Sequence, residues 1–246
     1  MNVKGGGSFP RLPWISWISC AAAAYGLKAA YSRSSVEDLA WILAPTARLV
    51  GALRGERLAA GVLGWAPPDG SYVVAPACAG VNFLILAFVV AVLGFSSRWS
   101  SGRGRFLFWL GSLGGAWTLT LGVNTVRILA AIELYRRGSF LGLDPGQLHR
   151  LLGVAVYLGA LSGLFAVLDR STRGESERRR SSPAALLLVP GAYLGMTLGV
   201  PLLNGAFRSE GPLFAEHAIM VLGCTLAVLG MALVGWRWVD RIEGRP

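Results

Sequence analysis

Six apolar runs, each of roughly 20 residues and joined by short arginine-bearing loops, leave this chain few ways to fold. The runs are Trp14–Tyr31, Ala77–Phe95, Phe106–Arg127, His149–Leu168, Ala184–Leu203 and Leu213–Trp236. In hydrocarbon every backbone N–H and C=O must be satisfied internally, so lone apolar segments of this length become helices. The expected fold is all-α: a polytopic integral membrane helical bundle of about six transmembrane helices, forming a single membrane domain over residues 1–246. Composition agrees, with 54% hydrophobic and only 15% charged residues, against roughly 25% charged in a soluble domain.

The segments between the runs refine this picture. Trp14–Tyr31 follows Lys4 and Arg11 and so resembles a signal peptide, but no small-residue cleavage site follows a distinct apolar core, and it reads as a retained anchor. Lys28, near its far end, is expected to snorkel, with Trp14, Trp17 and Tyr31 at the interfaces. In Val36–Gly64 the residues Val36, Leu39, Ala40, Leu43, Ala47, Val50 and Leu53 recur at helical spacing among charged neighbours. That pattern predicts an amphipathic helix on the membrane surface, near Val36–Leu53, broken at Pro45. Pro67–Gly70 is a turn cluster, and Ser71–Ala75 reads as a short extended stretch. Glu133–Gln147 reads as a polar loop, and Asp169–Ser182 as a charged linker ahead of a final helical hairpin.

The formal charge of +10 invites a nucleic-acid reading. The arginines instead cluster in short loops, which is a topology signal. The N-terminus, the loop with Arg98, Arg103 and Arg105, the linker with Arg170, Arg173 and Arg178–Arg180, and the C-terminus with Arg237, Arg241 and Arg245 all fall on one side. That side is expected to be cytoplasmic, against the minority charges Arg136, Arg137 and Arg208. Cys78, Arg127 and His149, each at one end of a run, then share the outer face.

These three residues are the chemical candidates. A thiol at a helix start sees the positive end of the helix dipole, which favours the thiolate. Gly80 permits close approach of another chain. Asn124 and Arg127 are three apart, on one helix face, where Asn124 suits orienting its neighbours. His149 opens a helix after the Asp144-Pro145-Gly146 turn. A nucleophile, a proton carrier and an oxyanion donor at one depth are what thiol-based acyl transfer requires. Taken singly, each has a plainer reading. A membrane cysteine is more often a packing residue, as expected for Cys20 and Cys224. Arg127 has the alternatives of lipid phosphate or Glu133, and His149 that of a helix-end histidine bonded to backbone. His217 is a rival imidazole, with Glu216 beside it. The three cysteines are far apart and form no CxxC pair, so neither a disulfide framework nor a metal site is indicated, and no cofactor is expected.

Cys78-Ala79-Gly80-Val81-Asn82-Phe83, Asn124-Thr125-Val126-Arg127 and Leu148-His149-Arg150 together resemble the exosortase/archaeosortase family, most closely its K-type exosortases. Leu43-Ala44-Pro45-Thr46-Ala47 ahead of the cysteine also looks like that branch. The resemblance covers residues 36–168, the exosortase-like catalytic core; residues 184–236, the C-terminal hairpin, carry no matching motif. Many members have Ser after the cysteine, where this chain has Ala79. The resemblance implies a membrane cysteine transpeptidase of the bacterial cytoplasmic membrane with Cys78, Arg127 and His149 catalytic and Asn124, Asn82 and Gly80 supporting. It implies membrane-anchored protein substrates with a C-terminal sorting signal, made of a short motif, a transmembrane helix and a basic tail. It also implies an acceptor nucleophile whose identity the sequence does not give.

Two other classes compete. Intramembrane Arg and His also mark ion or proton paths in transporters, but here they sit at one face and not along a pore. A non-catalytic assembly protein would use the amphipathic segment for docking. A rhomboid-type serine protease is disfavoured, because Ser162-Gly163 lies mid-helix and no Gly-x-Ser-Gly occurs.

Overall fold

Val81–Phe95 has no charged residue and is apolar on every side, so it buries all round and becomes the helix on which the others pack. In the computed structural model, which describes residues 14–99, 101–139, 144–172, 183–203 and 211–242, eleven of its 15 residues are buried. This helix is α3. It is preceded by α1 (Trp14–Tyr31), α2 (Ala40–Arg54), a hairpin of β1 (Ala59–Gly61) and β2 (Gly64–Ala66), and a 3-10 turn at Pro76–Cys78. It is followed by α4 (Gly102–Arg137), α5 (Pro145–Thr172), α6 (Pro183–Leu194), a π-helical stretch at Gly195–Gly199, α7 (Val200–Leu203) and α8 (Gly211–Ile242). Helices α1, α4, α5 and α6 all pack on α3.

Side-chain contacts give the directions. Phe88 meets Trp109 edge-on at 5.0 Å and Trp99 stacks on Phe108 at 5.7 Å, so α3 and α4 run antiparallel. Phe83 stacks on Tyr157 at 4.8 Å, Phe95 meets Phe165 at 5.2 Å, and Arg98 pairs with Asp169 at 2.9 Å, so α3 and α5 run parallel. Arg98 and Asp169 therefore mark one end of the bundle. The start of α3, the later part of α4 and the start of α5 meet at the other.

Among the described residues, three helical segments are long and apolar enough to cross a membrane: Pro76–Arg98, Gly102–Arg137 and Pro145–Thr172. Leu187–Leu203 and Phe214–Gly230 are shorter apolar helical stretches. Phe106, Leu107, Leu110 and Val126 on α4 are exposed. A lipid-facing surface has this apolar character, because packing against tails carries no desolvation cost. The α4 helix is 36 residues long, about 54 Å at 1.5 Å per residue, against a hydrocarbon core of about 30 Å. The helix is therefore longer than that thickness, and toward its C-terminal end Ile128 and Ala131 are buried, Ile128 in one apolar cluster with Leu39, Ile42, Leu43 and Val50.

Several sequence expectations need correction. Pro45 does not break its helix, since α2 runs unbroken from Ala40 to Arg54. Pro45 is its sixth residue, so only one early backbone bond is lost and the helix tolerates it. The helix is also shorter than Val36–Gly64. Gly55 turns left-handed at φ 69°, its N–H caps Gly51 O, and the chain enters the β1–β2 hairpin. Leu39, Leu43, Ala47 and Val50 are buried as the periodicity predicts, while Leu53 points outward. The expected polar loop Glu133–Gln147 is helical at both ends. Arg137 pairs with Glu133 at 2.8 Å in an i,i+4 bond that extends α4. Asp144 and Gln147 bond reciprocally across the start of α5 as a capping box, with Pro145 at the first helical position. Lys28 Nζ donates to Oδ1 of the exposed Asn82 at 2.9 Å. Lys4, Arg11, Arg173, Arg178–Arg180, Arg208 and Arg245, which carry much of the charge asymmetry, lie outside the described residues.

A small polar knot ties the hairpin region to α2. Arg54 donates to Glu56 Oε1 from Nε and Nη2, at 3.1 and 2.9 Å, and Tyr72 Oη donates to Glu56 Oε2 at 2.7 Å. The Arg54 hydrogen bonds, then that from Tyr72, hold the Glu56 carboxyl below its ordinary range. Burial, and then the bond to Glu56, push the Tyr72 phenol up to about 12. A depressed carboxyl contributes stability above its unfolded pKa, near ~4.3, and loses it as pH falls through the lower folded value. A raised phenol contributes fully below ~10 and loses it as pH rises through about 12. Hydrogen-exchange protection factors over residues 56–74 should therefore hold at neutral pH and fall once pH drops below the carboxylate range. Glu56→Gln should remove that acid transition.

Candidate active site

The turn before α3 sets the position of the cysteine. Pro76 restricts the backbone, and the N–H groups of Cys78 and Ala79 bond back to Ala75 O and Pro76 O, closing a 3-10 turn. Cys78 thus ends that turn, and α3 proper begins three residues later at Val81. Between them Gly80 is left-handed at φ 71°. A Cβ there would lie 3.1 Å from Thr120 Cγ2 and 3.2 Å from Asn124 Nδ2, so this position is where α4 comes closest.

Asn124 is fully buried and joins three elements. Its Nδ2 donates to the main-chain carbonyl of Cys78. Its Oδ1 accepts from Tyr157 Oη at 3.0 Å, and that hydroxyl accepts from Arg127 Nη1 at 2.7 Å. The Arg127 guanidinium also lies 5.3 Å from the Tyr157 ring centroid. One hydrogen-bond chain therefore runs from Arg127 through Tyr157 and Asn124 to the backbone of Cys78. Arg127 bonds neither Glu133, which is taken by Arg136 and Arg137, nor any group through its buried Nε among the described residues.

Two clefts meet at this end of the bundle. One, of about 620 Å³, is lined by Cys78, His149, Tyr135, Ile132, Arg136, Arg54 and the Asp69–Val73 loop. The other, of about 540 Å³, is lined by Arg127, His149, Tyr157, Asn82, Lys28, Arg150 and His217, together with apolar side chains of α3, α5, α7 and the π-helical stretch. Cys78 lines the first and Arg127 the second, and His149 belongs to both walls. The His149 ring lies 6.1 Å from that of Tyr135, and its Nδ1 is buried without a partner among the described residues. Of the supporting candidates, Asn124 and Gly80 meet each other beneath the cysteine, while Asn82 is exposed and held by Lys28. His217 comes to the Arg127 cleft and not to the cysteine. Its neighbour Glu216 pairs with Arg150 at 2.8 Å and accepts from Gln147.

Tyr157 is the residue that sequence reasoning missed. Its signal lay in spacing: His149, Gly153 and Tyr157 recur every four residues and all face the second cleft. Gly153 faces Arg127, whose Cδ would be in ordinary contact, at 3.9 Å, with a Cβ there. Cys20 is buried in the core beside α3, and Cys224 packs against that core, away from both clefts. Among the described residues no group of three or more His, Cys, Asp or Glu side chains is disposed to hold a metal ion.

The relay predicts unequal costs for its members. Asn124→Ala strands a buried carbonyl and a phenol at once, each worth about 1–3 kcal/mol when unsatisfied. Tyr157→Phe strands the Asn124 oxygen but leaves the Asn124–Cys78 bond intact, and Arg127, which lines an open cleft, can turn its released Nη1 to water, so this change should cost less. Thermal unfolding in detergent should rank them in that order, and the reverse order would remove Asn124 from the centre of the relay. Protein-family models, curated proteins and solved structures yield no match to this chain.

Proposed function

We propose that this chain is a membrane-embedded cysteine protease or transpeptidase of exosortase type, acting on exported proteins that carry a C-terminal sorting signal. The observation that carries the reading is the relay Arg127–Tyr157–Asn124–Cys78, which couples the cysteine motif to the arginine motif, with His149 in the cysteine's cleft. The proposed topology has six spanning helices and both termini in the cytoplasm of a bacterial cell, with the cysteine facing out. The separation of Arg98 and Asp169 from Cys78 at opposite ends of α3 supports the orientation, because the arginine-rich loop after α3 then lies inside.

In this mechanism the Cys78 thiolate attacks the scissile carbonyl and forms a tetrahedral oxyanion, which the free donors of Arg127 stabilise. Collapse breaks the C–N bond. The departing amine takes a proton from His149, leaving a Cys78 thioester. An incoming amine or water then attacks the thioester and gives its proton to His149, and breaking the C–S bond releases the Cys78 thiolate beside a protonated His149, as at the start. A substrate anchored by its own helix presents its bond at a fixed depth, so two-dimensional diffusion replaces part of the positioning cost. The non-catalytic alternative, a transport or assembly component, is the reading that remains if the thiol proves dispensable.

Two experiments test the proposal. Cys78→Ala should leave an inserted, stable protein that accumulates uncleaved substrate, while Cys20→Ala and Cys224→Ala process normally; cleavage by the Cys78→Ala protein would overturn the enzyme reading. Arg127→Lys keeps the charge but loses the planar fork. Turnover should fall roughly 10²–10³-fold, the loss typical of an oxyanion donor, with unfolding little changed. Equal turnover in the two proteins would remove Arg127 from the chemistry.

A further inference from the structure

The second cleft has a character of its own. Lys28, Arg127 and Arg150 line it with two imidazoles, His149 and His217, and none of its described lining residues is acidic. The three permanent cations are not used up by their neighbours. Lys28 gives one bond, to Asn82. Arg127 gives one, to Tyr157, and its Nε is buried without a partner among the described residues. Arg150 binds Glu216 through Nη2 at 2.8 Å, while its own Nε is likewise buried and unpaired. Each guanidinium keeps a second Nη group beyond the one already bonded, and an anion in the cleft would meet it with a charge-assisted hydrogen bond.

Apart from Asn82, Thr197 and the hydroxyls of Tyr157 and Tyr193, the rest of the wall is apolar. Leu86 of α3, Met196 of the π-helical stretch and Val200 and Pro201 of α7 continue from the cationic residues along the helices. A free anion has no use for such a wall, whereas an amphiphile does. Depth points the same way. Arg127 lies 25 residues beyond the start of α4, about 38 Å along its axis. His149 and Arg150 sit in the early turns of α5. The cations therefore stand near one boundary of a hydrocarbon core about 30 Å thick, where headgroup phosphates lie.

We propose that this cleft binds a phospholipid of net negative headgroup charge, its phosphate on Lys28 and Arg150 and an acyl chain along Leu86, Met196 and Val200. The site is closed on one side by α7 and α8, which gives the C-terminal helices a role that no motif indicates. The proposal stands apart from the thiol chemistry: Cys78→Ala should bind lipid unchanged, so failure of either idea leaves the other intact.

The test is native mass spectrometry of the full chain in detergent, titrated with dihexanoyl phosphatidylglycerol, dihexanoyl phosphatidylcholine or inorganic phosphate. Phosphatidylglycerol should bind at least tenfold more tightly than phosphatidylcholine, and inorganic phosphate only weakly. Lys28→Met and Arg150→Gln should each weaken phosphatidylglycerol binding about tenfold, Lys28→Arg should retain it, and Arg137→Gln, at an exposed position outside the cleft, should leave it unchanged. Equal binding of the two lipids, or phosphatidylglycerol binding indifferent to Lys28→Met, would overturn the proposal. Inorganic phosphate binding as tightly as the lipid would replace it with a free-anion site.

Discussion

The hydrogen bond from Asn124 to the backbone of Cys78 is the constraint on which this end of the molecule depends. An apolar helix cannot begin inside a bundle without exposing main-chain polar groups. Here the 3-10 turn at Pro76–Cys78 absorbs some of them and the buried Asn124 amide takes the Cys78 carbonyl. That bond requires α4 to lie against the chain at Gly80, where a side chain would collide with Thr120 and Asn124. It also sets the orientation of the asparagine, and so leaves its oxygen free for Tyr157. The position of Arg127 follows from that of Tyr157.

The relay has a direction. Arg127 donates to Tyr157, Tyr157 to Asn124, and Asn124 to the Cys78 carbonyl, so each group polarises the next in the same sense. In surroundings of low dielectric such a chain is rigid, because leaving any member unpaired costs its full desolvation. Rigidity is useful at a reaction centre, where donors must stand ready before charge develops. The arrangement also divides labour. Arg127 and Cys78 line different clefts, and His149 stands on the wall between them.

Outside the apolar helices, stability comes from polar ties. The Arg54–Glu56–Tyr72 knot holds the short hairpin, and the Asp144–Gln147 capping box starts α5. These ties lie beside the cysteine cleft, whose wall includes Arg54 and Tyr72. The loop that borders the candidate nucleophile is held by these ties together with packing, since Val74 is buried and Leu58, Trp65 and Tyr72 pack against the same apolar cluster, and the ties make its order depend on pH in a way the apolar bundle does not.

The sequence by itself determined the helices and the end of the bundle to which the chemical residues belong. Long apolar runs must satisfy their own backbones, and counting residues at a fixed rise then puts Cys78, Arg127 and His149 toward one end of the bundle, although Arg127 does not end its helix, which runs on to Arg137. The spacing of Asn124 and Arg127 likewise put both on one helix face. Tertiary structure decided what those residues touch. That Lys28 would reach Asn82, that Tyr157 would bridge Arg127 to Asn124, and that Glu216 would take Arg150 are contacts between helices far apart in the chain, and helical periodicity carries no information about them. The hairpin at Ala59–Ala66 was hidden for a similar reason. Its strands are three residues each, too short for an alternating pattern to stand out, and they form where Gly55 stops α2 and the Trp65–Val74 bridge holds the returning chain. The separation of one expected site into two clefts sharing His149 is also a product of packing, since it depends on where α5 lies between α4 and α8.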